Sequence, residues 1–101
     1  MMDHSRKYVQ CGGIVFREEE DGAFVFDPET GNLKYMNRSG RETYLMLDGK
    51  SDLDRVISNL SEIYAEADLN QLRQDVEVFV TELENGGFIS CLNENAPARG
   101  I

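Results

Sequence analysis

The residues of this sequence that could carry out chemistry are few and dispersed. The one histidine, His4, lies close to the N-terminus, where an imidazole is more often solvated than catalytic. A run of carboxylates from Glu18 to Asp21 falls at the tip of an expected hairpin, on the surface. The segment DGAFVFDPETGN lacks the Asp-x-Asp-x-Asp-Gly order and the terminal Glu of a calcium-binding loop. These parts do not assemble into a nucleophile with a neighbouring base, so the sequence predicts a protein that is not an enzyme.

Two further patterns that can mark a functional site are incomplete. Cys11 and Cys91 are far apart in sequence and have no Cys-x-x-Cys spacing, which argues against a zinc site and a disulfide framework. The glycine pairs at 12–13 and 86–87 lack the Lys-Ser/Thr ending of a phosphate-binding loop. We therefore expect neither a metal nor another cofactor.

Length and charge narrow the classes of function that remain. A chain of 101 residues has the usual size of one domain. It contains no apolar run long enough for a membrane span and no signal-peptide core, so we expect a cytoplasmic protein with no membrane partner. The formal net charge of −9 disfavours contact with phosphate backbones. The expected partner is a protein or a peptide.

The apolar residues between Gly12 and Met36 follow the period of two that is typical of strands. Three short runs, GGIVFREE, DGAFVFD and NLKYM, are separated by the turn-forming segments Asp21-Gly22 and PETGN. This pattern predicts a three-stranded antiparallel meander. Each strand has one apolar face, formed by Ile14 with Phe16, Phe24 with Phe26, and Leu33 with Tyr35, while Val15 and Val25 lie on the other face.

After Met36 the apolar period becomes that of three helices. Asn37 or Ser39 can cap the first, which stops at Asp48-Gly49, and Ser51 with Asp54 opens the second. Asp68 caps the third helix, which ends at 85–87. The apolar stripes of the second and third helices are Leu53, Val56, Ile57, Leu60, Ile63 and Tyr64, and then Leu69, Leu72, Val76, Phe79 and Leu83.

These elements predict an α+β, winged-helix-like fold in which a three-stranded antiparallel sheet precedes a three-helix bundle. The expected domain spans residues 12–92, between a flexible N-terminus at 1–11 and a flexible C-terminal tail at 93–101. The segment Phe88 to Leu92 could add a last strand or pack back on the core. In a DNA-binding winged helix the third helix reads the major groove, but here it carries five acids and one base, a net charge of −4. We therefore expect no nucleic-acid partner.

Several motifs, in this order and at these intervals, resemble a known family. The strand-to-helix junction Tyr35-Met36-Asn37, the Leu-Asp-Gly at 47–49, and the Asp-Val-x-x-Phe at 75–79 with Gly-aromatic-aliphatic at 87–89 resemble protein D of pyrroloquinoline quinone biosynthesis. They equally resemble its wider PqqD-like relatives, the leader-peptide recognition elements of ribosomal peptide modification. The resemblance covers about Gly12 to Ile89. The chain has Phe88 where proteins dedicated to the quinone pathway often have Trp, so the wider family is the assignment.

The resemblance implies a non-catalytic adaptor that binds the leader of a precursor peptide by β-strand addition and presents it to a radical S-adenosylmethionine enzyme. It leaves open whether the protein forms a homodimer. The implied edge is the third strand, and the implied groove lies between that strand and the third helix. Among the groove residues, Arg73, Val76 and Val80 are those we most expect to touch a ligand. The implied peptide-binding residues are Leu33, Lys34, Tyr35, Met36, Leu72, Arg73, Val76, Phe79 and Val80.

Two opposite predictions for the charge of the expected peptide remain open. The negative net charge favours a leader with basic residues. Leaders of the resembled family are often acidic, in which case Lys34, Arg38, Arg41 and Arg73 would supply the complementary sign. An alternative function is also open: a winged-helix protein–protein interaction or regulatory module, without a peptide substrate, whose folded partner docks on the acidic third helix.

Overall fold

The computed structural model describes residues 3–92 and contains two small antiparallel sheets and three helices. The elements are β1 Lys7–Gln10, β2 Val15–Glu19, β3 Gly22–Phe26, β4 Leu33–Asn37, α1 Arg38–Met46, β5 Asp48–Asp52, α2 Leu53–Ile63, α3 Leu69–Asn85 and β6 Ile89–Leu92. Strands β2, β3 and β4 form one sheet in that order, which confirms the predicted meander. The fold is therefore α+β, as the sequence predicts.

A second sheet, with the strand order β5-β1-β6, is absent from the sequence prediction. Its middle strand, β1, lies inside the segment 1–11 that was expected to be flexible, so that expectation is wrong for residues 7–10. The reason is long-range pairing: β1 pairs along its whole length with β6, for example Tyr8 with Cys91. Four-residue strands show little periodicity of their own. The segment from Phe88 onward does add a strand, and the tail at 93–101 lies outside the described residues.

The helix boundaries are set by side chains that accept hydrogen bonds from the first backbone N–H groups. Asn37 caps α1 by accepting from the Gly40 N–H at 2.9 Å, and Asp68 caps α3 as predicted. The second helix begins one residue later than expected, because Asp52 caps it and Ser51 belongs to β5. Among residues 3–92 no helix is long and apolar enough to cross a bilayer.

The core lies between the three helices and the inner faces of the two sheets. The stacked rings of Phe16 and Tyr44, 5.5 Å apart, join the first sheet to α1. The side chains that are buried in it include Tyr8, Ala23, Val25, Met36, Tyr44, Leu47, Leu53, Val56, Ile57, Leu60, Val76, Val80, Leu83, Phe88 and Ile89.

Strand β2 packs Phe16 of its apolar face against the core, whereas β3 and β4 present to the core the face opposite to Phe24, Phe26, Leu33 and Tyr35. Ala23, Val25 and Met36 are buried, whereas Phe26, Leu33 and Tyr35, on the other face, are exposed. Both faces carry apolar residues, so the period of two gives the alternation but does not decide which face is inside. On β3 and β4 the helices pack on the side of the smaller residues, and several large apolar side chains are left at the surface.

We predict that Gly22→Ala destabilises the fold strongly, because a Cβ at this position would lie 2.0 Å from the Met36 carbonyl oxygen in the paired strand. The expected loss in the free energy of unfolding is about 3 kcal/mol, measured by chemical denaturation. Gly12→Ala is the matched control, since its Cβ would meet nothing within 4 Å, and it should stay within about 0.5 kcal/mol of the wild type. Equal stability of the two variants would contradict the β3–β4 register.

A second prediction concerns Asp48, whose carboxylate accepts from the Lys50 N–H at 2.9 Å and from the Ser51 N–H at 3.3 Å. The first of these bonds is the main cause that holds the pKa of Asp48 below its usual value in the folded state. The stabilisation is therefore full above the unfolded-state pKa and is lost as pH falls through the folded-state pKa. Between pH 6 and 3, the free energy of unfolding of the Asp48→Asn variant should fall by less than that of the wild type, as measured by chemical denaturation. Equal decreases in the two proteins would contradict this role.

Candidate functional site

Strand β4 is an edge strand, because β3 pairs with one of its sides and no strand within residues 3–92 pairs with the other. Its register against β3 is fixed next to the turn. The Asp27 N–H donates to the Asn32 carbonyl at 2.8 Å, which makes these two residues a hydrogen-bonded pair. The ladder then continues with Phe26 opposite Leu33 and Val25 opposite Lys34.

This register determines which backbone groups of β4 face the open side. In an antiparallel ladder, hydrogen-bonded and non-hydrogen-bonded pairs alternate. Lys34 and Met36 are therefore at positions whose N–H and C=O groups bond to β3, while Leu33 and Tyr35 direct theirs outward. The close ring contact of Phe24 with Tyr35, at 5.1 Å between centroids, fits a non-hydrogen-bonded pair. The open edge thus offers two residues with unpaired backbone groups.

A groove of about 320 Å³ lies between α3 and the junction of β4 with α1. Apolar side chains of α3 form one wall, and Leu60 of α2 contributes to the lining. The residues that line this groove are Asn37, Ser39, Gly40, Thr43, Leu60, Leu72, Asp75, Val76, Val78, Phe79 and Glu82.

Close approach of α1 to α3 at this groove depends on Gly40. A Cβ there would lie 3.2 Å from the ring of Phe79 and 3.0 Å from the Cβ of Met36. Both are tight contacts, so glycine lets the first turn of α1 sit against the helix. A glycine inside a predicted helix was the signal that could have identified this groove residue, and the sequence-based reasoning missed it.

Two acidic residues and one lysine determine the charge at the groove. Asp75 and Glu82 are the charged residues in its lining, and both come from α3. The Lys34 ammonium lies 2.9 Å from a carboxylate oxygen of Glu82 and 6.0 Å from the centre of the Phe79 ring. Asp75 accepts a hydrogen bond from Gln71 at 2.9 Å. Neither Asp75 nor Glu82 was among the residues expected at the site.

The nine residues expected to bind peptide fall into three groups in the structure. Leu33 and Tyr35 are 61% and 51% exposed on the open strand, and the side chain of Lys34 reaches towards α3. Leu72 and Phe79 are half-buried and line the groove. The backbone of Met36 belongs to β4, but its side chain is buried, as are those of Val76 and Val80.

Val80 and Arg73 lie away from the groove, contrary to what we expected. Val80 has 0% exposure and belongs to the core beneath the helix, so its side chain has no surface to offer a ligand. Arg73 is exposed but does not line the groove. Residues two apart on a helix point about 200° apart, which directs Arg73 away from the side of Asp75. Lys34, in contrast, reaches α3 beside the groove through its contact with Glu82.

His4 is held between two helices rather than in a frayed terminus. Its Nε2 lies 2.5 Å from a carboxylate oxygen of Glu77, and its Nδ1 lies 3.4 Å from one of Asp54. The two carboxylates contact opposite nitrogens of the ring, so the three groups do not converge on one metal position. No cluster of three or more metal-ligating side chains occurs within residues 3–92. The contacts of His4 fasten the N-terminal segment to α2 and α3.

A larger depression of about 580 Å³ lies beside the N-terminal segment. Its lining includes Arg6 and Tyr8 on one side and Glu77 and Glu84 of α3 on the other. It is larger than the groove, but no open strand edge borders it. We therefore place the candidate site at β4 and its groove.

The outer face of the first sheet adds an exposed apolar surface beside the same edge. Val15 is 50% exposed and Phe26 is 37% exposed, and both lie on the face that carries Leu33 and Tyr35. A shallow depression of about 510 Å³ on this face is lined by Val15, Arg17, Glu19, Phe24, Phe26 and Leu33. We call these six residues with Tyr35 the outer face. Exposed apolar surface of this kind often marks an interaction site.

Comparisons with known proteins relate this geometry to a family and a fold. A solved structure described as "TbiB1 in Complex with the TbiA(beta) Leader Peptide" is similar with a TM-score of 0.70 and 14% identity, over 89% of this chain and 99% of that chain. Another, "Lasso peptide synthetase B1 complexed with the leader peptide", has a TM-score of 0.66 and 19% identity, over 83% and 98%. At these identities the likeness shows the fold. No curated protein sequence matches the chain.

The family itself is shown by the sequence. The family model described as Coenzyme PQQ synthesis protein D (PqqD) matches residues 22–89, which include β3, β4, all three helices and the groove between them. The match extends over more than half of the chain and confirms the resemblance seen in the motifs. This chain belongs to the PqqD family.

Proposed function

We propose that this protein is a non-catalytic adaptor that binds the leader segment of a ribosomally made precursor peptide by strand addition to β4. The observation that carries the proposal is the open edge at Leu33 and Tyr35, which lies alongside the groove of α3. Two structures of the same fold are, by their descriptions, complexes with leader peptides. Strand addition needs an accessible edge for main-chain hydrogen bonds and neighbouring pockets for alternate side chains.

A peptide strand added to β4 would present its side chains in two directions. Successive side chains of a strand point to opposite faces. One set would enter the space between β4 and α3, where Leu72 and Phe79 offer apolar contact and Val76 lies beneath. The other set would lie next to Leu33 and Tyr35 and extend the outer face. Backbone pairing would then give affinity, and the groove would select residues at every second position.

The proposed partner enzyme is a radical S-adenosylmethionine enzyme that modifies the rest of the precursor in the cytoplasm. Holding the leader raises the local concentration of the linked segment at that enzyme, into the millimolar range for a short flexible link. The adaptor needs no cofactor for this role. We also propose that the arrangement of β2–β4 with the three helices is winged-helix-like, with the second sheet as an addition to it.

We predict that Tyr35→Pro weakens peptide binding and leaves the protein folded. Proline removes the outward N–H of Tyr35, and an edge position tolerates this because no bond to β3 is lost. Loss of about 1 kcal/mol for one backbone hydrogen bond weakens binding about fivefold. The probe is a peptide selected by the wild type from a displayed library of random segments of about ten residues, within the range of strand lengths. Calorimetry gives the affinity and circular dichroism the folded state.

Two variants are controls for this prediction. Tyr35→Thr removes the ring but keeps the N–H, so its affinity should stay above that of Tyr35→Pro. Lys34→Pro removes an N–H that bonds to β3, so it should lower the free energy of unfolding by about 1 kcal/mol or more. A folded Tyr35→Pro variant with wild-type affinity would rule out strand addition at β4.

The outer face supports a second candidate function, a module that binds a folded protein or a second copy of itself. The exposed apolar residues of the outer face would suit contact with the surface of a folded partner, whereas the groove and open edge would suit an extended peptide. Phe26→Asp should abolish such an association, measured by sedimentation, because it buries a charge in an apolar contact. Peptide binding at the open edge of β4 should survive this substitution, because Phe26 lies on the neighbouring strand β3. Loss of both activities in a folded variant would mean that the two surfaces are not separate.

A further inference from the structure

The ion pair between Lys34 and Glu82 crosses the space that a peptide side chain would enter. Lys34 comes from the edge strand and Glu82 from α3, and their charged atoms are 2.9 Å apart. The Lys34 side chain is 26% exposed, and that of Glu82 is 53% exposed. The edge strand and α3 are thus joined by an ion pair that is accessible to solvent. Such pairs add little to the stability of a fold.

The contacts of the Lys34 ammonium define a position suited to a cation. The carboxylate of Glu82 lies on one side of it, and the ring of Phe79 lies 6.0 Å away. A carboxylate together with an aromatic ring binds ammonium and guanidinium groups through charge and cation–π attraction. In this structure the chain's own lysine holds that position. A peptide residue that competes with Lys34 for this position would therefore be basic.

The carboxylates that line the groove also favour a positively charged peptide side chain. Asp75 lies one turn before Phe79 on the groove side of α3, and it is the other charged residue in the lining. With Glu82, the groove lining has two carboxylates and no base, and the Lys34 ammonium that reaches it is already paired with one of them. An acidic peptide side chain would meet both carboxylates and would have to separate Lys34 from Glu82. A basic side chain would replace Lys34 and leave that ammonium free to reach water.

We propose, on the basis of the proposed function, that Lys34 is a displaceable occupant of a cation site and that the groove selects a leader segment with Lys or Arg at a groove-facing position. The base contacts Glu82 and Phe79, and Lys34 turns outward. Leu72 lies about 10 Å before Phe79 along the axis of α3, and residues four apart in a strand share a face and lie about 13 Å apart. An apolar residue four positions from the base therefore contacts Leu72 on the same wall. The ligand class is a strand-forming segment in which a basic and an apolar residue alternate with residues of the other face.

The test begins with the wild-type protein and the random peptide library. The expected result is enrichment of Lys or Arg four positions from an apolar residue. Calorimetry with one selected basic peptide then compares variants whose folding is checked by circular dichroism. Glu82→Gln should weaken binding about tenfold, because it removes the charge that faces the base. Lys34→Met keeps the aliphatic stem and removes the competing ammonium, so it should tighten binding about threefold.

Glu84→Gln is the matched control, since it makes the same charge change on α3 outside the groove lining. It should bind the basic peptide within about twofold of the wild type, and the difference from Glu82→Gln should shrink at high salt. Equal effects of Glu82→Gln and Glu84→Gln, or weaker binding by Lys34→Met, would overturn the cation site. Selected peptides without a base would overturn it while strand addition stands. Selection of no peptide would overturn both.

Discussion

The hydrogen-bond alternation between β3 and β4 is the constraint on which the rest of this site depends. The Asp27–Asn32 bond sets its phase, and a shift by one residue would exchange the inward and outward backbone groups of the edge. The same phase directs the side chains of Lys34 and Met36 towards the helices and those of Leu33 and Tyr35 towards solvent. One backbone register therefore fixes both the hydrogen bonds that are open and the side chains that face the groove.

The position of α3 relative to that edge is held at several points. Val76, Val80 and Leu83 are buried on its inner side, and the chain turns back at Gly87, with a φ of +82°, to pack Phe88. At its C-terminal end the Asn32 amide donates to the Gly86 carbonyl at 2.9 Å, which joins the β3–β4 turn to the helix. The groove walls are therefore set before any ligand arrives. A site built on such fixed elements loses less conformational entropy on binding.

Local signals predicted the elements whose structure is decided within a few residues. The Asp68 cap, the PETGN turn and the glycines after α3 involve contacts between close neighbours, and they were confirmed. The first turn lies one residue earlier than predicted, because Gly22 pairs with Glu19 and belongs to β3. Strands β1 and β6 were not predictable in this way, because their partner residues are more than 75 positions apart. The buried face of β3 and β4 did not follow from the sequence, because both faces of these strands carry apolar residues.

The same difference between local and long-range contacts decided what could be predicted of the candidate site. The family resemblance pointed to β4 and α3, and Leu72 and Phe79 line the groove beside them. Arg73 and Val80 were misplaced because the side of a helix that faces a groove depends on how it packs, and the apolar stripe fixes that phase only within about one residue. Glu82 and Lys34 were hard to pair from sequence, since their contact joins elements 48 residues apart.

The central position of β1 in the second sheet has a consequence for biosynthesis. Tyr8 is nearly fully buried, and its strand neighbours include Cys91, so the N-terminal strand cannot complete its sheet until the residues after α3 have left the ribosome. The meander and the first helix can form earlier, because their pairings are local. Until β6 emerges, β1 can pair with β5 on one side, but its other edge remains without a partner. Closure of the domain, and with it a groove of fixed width, thus waits for the synthesis of its last strand.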